Sequence, residues 1–327
     1  MPLTRREAIV GCGGGLVLLT GLPALAQAAY PSRTIKMIVP YPAGGTTDIL
    51  GRLVADQLKT GLGATVVVEN KPGAATTLGA EQVARSEPDG YTLLMATSTT
   101  LAINKSLYRK LPYDPVRDFA PIGLVAGVPF ALIVNPSIPA NSLAEFIAYA
   151  KSKPGLAYGS AGNGSPQHLG AEMIRTATGI DIRHVPYRGS VPAMLDVIAG
   201  HIPFMVVDLQ PALQQIREGK VRVLGVTTPK RVAAAPDIPT ISESGFPGFE
   251  LVAWQGVVAP SGTPRAIVDE LAAQLGKLMA DPATRDRLTT ISLEPLPAST
   301  PDSFAAYIKT EVERWATIVK SSGAEPE

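Results

Sequence analysis

Short β-branched runs that alternate with helix-spaced segments constrain this chain more than any other feature. Residues 34–39 (TIKMIV) stop at Pro40, and residues 65–68 (TVVV) form a second run. Between them, within 48–59, Ile49, Leu50, Leu53, Val54 and Leu58 recur at helical spacing. Strand, loop, helix, strand is a βαβ unit, which requires a parallel pair of strands. The same alternation predicts a helix at 78–85, strands at 91–95 and 130–134, a helix at 142–152 and a strand at 156–159. It continues with helices at 168–178, 190–199 and 212–218, interleaved with strands at 182–185, 204–207 and 221–226. The last third shows only helices of note, at 264–279, 282–288 and 302–320. Two βα series in succession, with C-terminal helices returning to cover the first, describe an α/β protein of two lobes. Its two parallel or mixed sheets are flanked by helices and joined by a hinge of crossing strands, outward at 128–133 and back at 243–253. The expected domains are 29–130 with 250–327, and 131–249. A single long doubly wound sheet is the alternative.

The first 28 residues read as an export signal rather than as part of the fold. Thr4-Arg5-Arg6 is a basic start, residues 9–22 are apolar but diluted by glycine, and Ala26-Gln27-Ala28 is a small-x-small cleavage site. The apolar run ends at Pro23, short of the ~20 residues that span a bilayer. The arginine pair resembles a twin-arginine signal, although Glu7-Ala8 is not the preferred continuation, so Sec and Tat export both stay open. Cys12, the only cysteine, precedes most of the apolar stretch, which is the wrong place for a lipid attachment box. Cleavage near Ala28 leaves a chain without disulfides, thiolates or cysteine metal ligands.

Removing that segment takes the net charge from +1 to 0, so the chain carries no basic excess to neutralise phosphates or a membrane surface. Nucleic acid is therefore not an expected partner. Enzyme signatures are also missing. Ser160 and Ser165 are preceded two positions earlier by Tyr158 and Asn163, so neither forms a nucleophile elbow. Gly162-Asn163-Gly164 meets Gln167 where a dinucleotide fingerprint needs a third glycine, and the three histidines lack zinc-site spacing. No cofactor and no metal is expected.

The loops instead suit an anion. In Tyr41-Pro42-Ala43-Gly44-Gly45-Thr46-Thr47-Asp48, glycines allow close backbone approach, and amides at a helix start point toward a ligand. Asp48 is placed to bond loop amides. Ser160-Ala161-Gly162-Asn163-Gly164-Ser165, running on to His168, repeats the grammar after another strand, and Thr97-Ser98 adds hydroxyls after a third. Each loop lies at the carboxyl end of a strand, where open α/β sheets bind ligands. Neutral donors suit a small carboxylate. Tyr187, Arg188 and Asp208, at the ends of two further strands, complete the candidate set. Arg188 offers a planar fork for a second carboxylate.

The stretches YPSRTIKMIVPYPAGGTTD, VVVENKPGA, PDGYTLL, HVPYRGSVPAMLDVIAGHI, PDIPTISESGFPGFE and APSGTP, in this order, resemble the Bug or TctC-like periplasmic solute-binding proteins. The resemblance runs from Tyr30 to about Gly323. It implies a flytrap fold and a ligand carboxylate gripped by Tyr41 and Ala43–Asp48 on one side. On the other side it implies Ser160, Ala161, Gly162, Asn163, Ser165 and His168. Arg188 stands where the family commonly has lysine, and Tyr41 where phenylalanine is frequent. The implied role is a monomeric receptor that delivers a di- or tricarboxylate, aromatic carboxylate or amino acid to two integral-membrane transporter subunits. A sensor docking on a signalling partner, or a secreted α/β hydrolase, are the other readings.

Overall fold

The computed structural model describes residues 30–322. The expected export signal, Cys12 and the cleavage point lie outside them. Among the described residues, no helix is long and apolar enough to cross a membrane.

The first βαβ unit forms from β1 (Ile35–Val39), α1 (Thr46–Leu62) and β2 (Val66–Asn70), followed by α2 (Thr77–Ala84) and β3 (Thr92–Thr97). β1 pairs in parallel with both β2 and β3. A π-helical turn at Thr99–Ile103 leads into α3 (Asn104–Leu107). β4 (Phe119–Val134) then runs for 16 residues. The second series comprises α4 (Leu143–Ser152), β5 (Leu156–Ser160), α5 (Pro166–Thr178) and β6 (Ile182–Pro186). It ends with α6 (Ser190–Ala199), β7 (Phe204–Asp208), α7 (Leu209–Arg217) and β8 (Arg222–Val226). β9 (Val252–Pro260), α8 (Arg265–Ala280), α9 (Pro282–Thr290), the short β10 (Glu294–Pro295) and α10 (Pro301–Ser322) complete the chain.

β4 belongs to two sheets. Its first part, Phe119 to Pro129, pairs antiparallel with β9, which pairs on its other side with β3. From Phe130 to Val134 it lies between β7 and β8, both antiparallel. The two sheets are thus joined through β4 into one curled, mixed sheet of order β2-β1-β3-β9-β4-β7-β5-β6. Pro129 sits at the changeover, where a missing N–H does least harm to the ladders.

Two expectations needed correction. The strand expected at 130–134 extends back to Phe119, while its change of sheet at Pro129/Phe130 falls within the expected crossing at 128–133. Pro121, Gly123, Gly127 and Pro129 interrupt its apolar pattern, and the register slips at Pro121/Gly123 and Leu124/Ala126 absorb them. The last third also holds more than helices, because β9 sits in the sheet between β3 and β4. Gly256 breaks its apolar run, and packing requires that break. A Cβ there would lie 2.6 Å from the Phe304 ring and 2.8 Å from the carbonyl of Gly123. Over the expected return crossing at 243–253, the chain is irregular until β9 begins at Val252.

α10 seals this arrangement by packing on β4 and against α5. Phe304, Ile308 and Trp315 on its inner face are buried. Burying side chains of this size contributes roughly 1.5–3 kcal/mol each.

Candidate functional site

The parallel strands point their carboxyl ends toward the place where β4 changes sheets. There Thr97 pairs with Gln255 and Phe130 pairs with Asp208, which brings four sequence-distant residues to one spot. The cleft that results has a volume of about 40 Å³, room for a few waters. Its floor is Val128, Phe130, Ala253 and Trp254. One wall comes from the β1–α1 loop and the end of β3, and the other from the starts of α5 and α6 and from Asp208. Thr46 Oγ1 donates to Asp208 Oδ2 at 2.7 Å, joining the walls directly.

The β1–α1 loop is shaped by Asp48 from behind. Gly44, at φ +84°, donates its N–H to Asp48 Oδ2 at 3.0 Å. Asn70 Nδ2 donates to Asp48 Oδ1 and to the Tyr41 carbonyl, both at 3.0 Å, and Arg52 Nε donates to Oδ2 at 3.0 Å. Burial works to raise the Asp48 carboxyl, but the bonds from Arg52, Gly44 and Asn70 outweigh it and hold the group below its ordinary range. Gly45 then caps α1 without any side-chain cap, so the first-turn amides keep no side-chain acceptor. Gly45, Thr46 and Thr47 line the cleft, placing the positive end of a 17-residue helix there.

Asp48→Ala is expected to cost about 1.5–3 kcal/mol of stability, because it removes the buried, charged acceptor shared by the Gly44 amide, the half-buried Asn70 side chain and Arg52. Arg52 is half-exposed, so little of that comes from the ion pair. A depressed carboxyl stabilises the fold above its unfolded value near ~3.9 and loses that contribution as pH falls through the folded value. Denaturant unfolding should therefore show the variant's deficit at pH 7 and a smaller one below about pH 4. An equal deficit at both pH values would contradict this role.

Several polar groups on the cleft wall are underused. Ser98 Oγ is fully buried with no hydrogen-bond partner. Gln255 Nε2 donates to Thr47 Oγ1 at 3.0 Å, leaving its Oε1 unpartnered. Tyr41 donates to Thr99 Oγ1 at 3.4 Å, and burial pushes its hydroxyl up to about 12, so it stays neutral. Asp208 accepts from Thr46, from Gln167 Nε2 and, at 3.5 Å, from Ser190. Burial pushes its carboxyl upward against those bonds. Among the described residues, no group of three or more His, Cys, Asp or Glu could hold a metal ion.

Of the residues singled out from the sequence, Tyr41, Ala43, Gly45, Thr46, Thr47, Thr97, Ser98 and Asp208 line the cleft. Gly44 and Asp48 stand behind it. The second loop lies beside the cleft rather than on its wall, because its polar groups bond one another. Ser160 Oγ meets His184 Nε2 at 2.6 Å and accepts from the Gly162 amide at 3.0 Å. Ser165 Oγ donates to the Gly162 carbonyl at 2.7 Å and caps α5. The Gly164 amide donates to His168 Nδ1 at 3.1 Å. His168 stacks on His184 at 4.0 Å, and burial, with His168 beside it, lowers His184 to about 3. Ala161 is buried and Asn163 exposed, neither on the cleft. Tyr187 donates to Asp196 at 2.6 Å, and Arg188 is exposed, off the cleft lining. Sequence reasoning missed Gln167, Gly189, Ser190, Trp254 and Gln255. Gly189-Ser190 had a readable signal, being another glycine between a strand and a helix start. Gln255 and Trp254 had none once β9 went unread.

The TctC family, Tripartite tricarboxylate transporter family receptor, matches residues 50–324. The chain is similar to protein BugT of Bordetella pertussis (strain Tohama I), at 36% identity over 99% of each chain. Among solved structures it is similar to R. palustris Rpa4515 with adipate, at TM-score 0.88 and 36% identity, covering 91% of this chain and all of that one. It is also similar to the periplasmic binding protein BugD, at TM-score 0.86 and 39% identity over 91% of this chain and all of that one. These relatives are substrate-binding receptors, not enzymes. With a two-lobed α/β fold and a family match across most of its length, the chain belongs to the tripartite tricarboxylate transporter receptors of the TctC, or Bug, family.

Proposed function

We propose that this protein is a monomeric periplasmic receptor that closes on a small carboxylate in the cleft and hands it to the two integral-membrane subunits of a tripartite transporter. The observation that carries this reading is the first wall of the cleft. An uncapped 17-residue helix presents its first turn there beside the buried, unpartnered hydroxyl of Ser98. Amide donors with a helix dipole behind them, and one spare hydroxyl, are what an isolated carboxylate needs. Residues 29–130 with 250–327 act as one lobe and 131–249 as the other, hinged where β4 and β9 cross. Adipate in the Rpa4515 structure supports a carboxylate cargo.

A thermal-shift screen of aliphatic, aromatic and amino carboxylates on the mature protein should give at least one hit. Small-angle scattering should then show a smaller radius of gyration at saturation. Ser98→Ala should weaken the hit about tenfold or more, as expected for losing a hydrogen bond to a charged group. A screen without any hit, or full affinity in the variant, would overturn the assignment.

A further inference from the structure

The wall opposite Ser98 sets two acceptors, Asp208 and Gln167 Oε1, beside the uncapped start of α6. Asp208 is 7% exposed, and every neighbour bonded to its side chain is a neutral donor. Gln167, 5% exposed, donates Nε2 to Asp208 Oδ1. With Nε2 committed to that bond, Gln167 Oε1 is left buried without a partner. Among the described residues, no lysine, arginine or histidine lines the cleft. A ligand carrying only carboxylates would place like charges beside Asp208 in a poorly solvated space with no cation to offset them. A ligand ammonium would offset that charge and satisfy Oε1 as well.

The spacing of the two charged ends follows from the Thr46–Asp208 bond. At 2.7 Å, it puts Asp208 one hydrogen bond from the first turn of α1, where the carboxylate is held. The ammonium and carboxylate must therefore sit on adjacent positions of the ligand. Beyond them the cleft offers Val128, Phe130, Trp254, Val191 and Pro192, an apolar surface.

Resting on the receptor reading above, we propose that the cargo is an α-amino acid with an apolar side chain. Its carboxylate lies on the α1 amides and Ser98, and its ammonium lies on Asp208 and Gln167 Oε1.

Calorimetry at pH 7 on the mature chain tests this with leucine, 2-hydroxy-4-methylpentanoate and 4-methylpentanoate, which share a skeleton, with phenylalanine against 3-phenylpropanoate, and with adipate. The better amino acid should bind at least tenfold tighter than its deaminated analogue and than adipate. Asp208→Asn should lose at least tenfold for that amino acid while binding adipate as well as, or better than, the wild type. A deaminated acid, the hydroxy acid or adipate binding as tightly as the amino acid overturns the proposal and leaves the carboxylate receptor standing. Failure of every one of these probes, with no hit in the wider carboxylate screen, overturns both. The wild-type ranking decides even if Asp208→Asn does not fold.

Discussion

Gly189→Val is expected to weaken binding of the cleft's carboxylate by about thirtyfold or more and to lower stability. Gly189 caps α6 at φ 126° and ψ 163°, a region that side-chain-bearing residues enter at a cost of about 1–3 kcal/mol. Its missing Cβ also faces the other lobe, since an atom built there would lie 3.2 Å from Pro42 Cδ and 3.3 Å from Cγ. Pro42 and Gly189 both line the cleft, so a branched side chain pushes the two walls apart where they meet. The next residue, Ser190, reaches Asp208, and a shifted α6 start would withdraw it. The steric part burdens only the state in which the lobes touch. That makes it a loss of affinity, with about 2 kcal/mol equal to thirtyfold. Pro42→Ala in the same chain should recover part of the affinity but none of the backbone cost. Calorimetry and thermal melts separate the two. Wild-type affinity in Gly189→Val would show that the walls need not approach here, and no recovery in the double variant would remove Pro42 from the argument.

Glu311→Ala should produce the largest loss of stability from a single polar change. Glu311, 3% exposed on α10, accepts from Trp254 Nε1 at 2.7 Å and from Trp315 Nε1 at 2.9 Å. Both indoles are buried, and an indole N–H can only donate. Removing the carboxylate leaves two buried donors unsatisfied, each worth about 1–3 kcal/mol. A loss of roughly 2–5 kcal/mol corresponds to a melting point lower by roughly 5–10 °C in a chain of this size. Trp254 is also part of the cleft floor, so carboxylate affinity should fall with it. Glu311→Gln keeps an acceptor and should lose less than half as much. Equal melting points for the alanine and glutamine variants would refute the hydrogen-bonding explanation.

The alternating segments made most of the fold legible. Where a strand is a short, mostly apolar run rich in β-branched residues, as in β1, β2 and β7, local preference and tertiary role agree. β4 and β9 were harder for one shared reason. They are the crossing strands, and close packing at the crossing demands glycine, as at Gly256, or tolerates proline, as at Pro129. Both residues erase the periodicity that identifies a strand. The candidate site divides the same way. The β1–α1 loop announces itself through adjacent glycines before a helix. The β5–α5 loop announces itself equally, yet it spends its hydroxyls and amides on its own turn and on His184. Composition records how many donors a loop has, and only the folded geometry records which remain free.

The sequence by itself determined the class of fold, the strand–loop–helix sites that can hold an anion, and the family resemblance. All three follow from local periodicity and from contiguous motifs, which need no long-range information. The tertiary structure alone decided which of those loops face each other. It brought Thr97 to Gln255 and Phe130 to Asp208 through antiparallel pairing across 158 and 78 positions of chain. It also decided that Gln167 leaves its oxygen without a partner, because the orientation of that amide is set by the buried carboxylate beside it. Register between distant strands, and the direction of a side-chain amide, are products of packing and hydrogen-bond satisfaction over the whole sheet, and no local pattern encodes them.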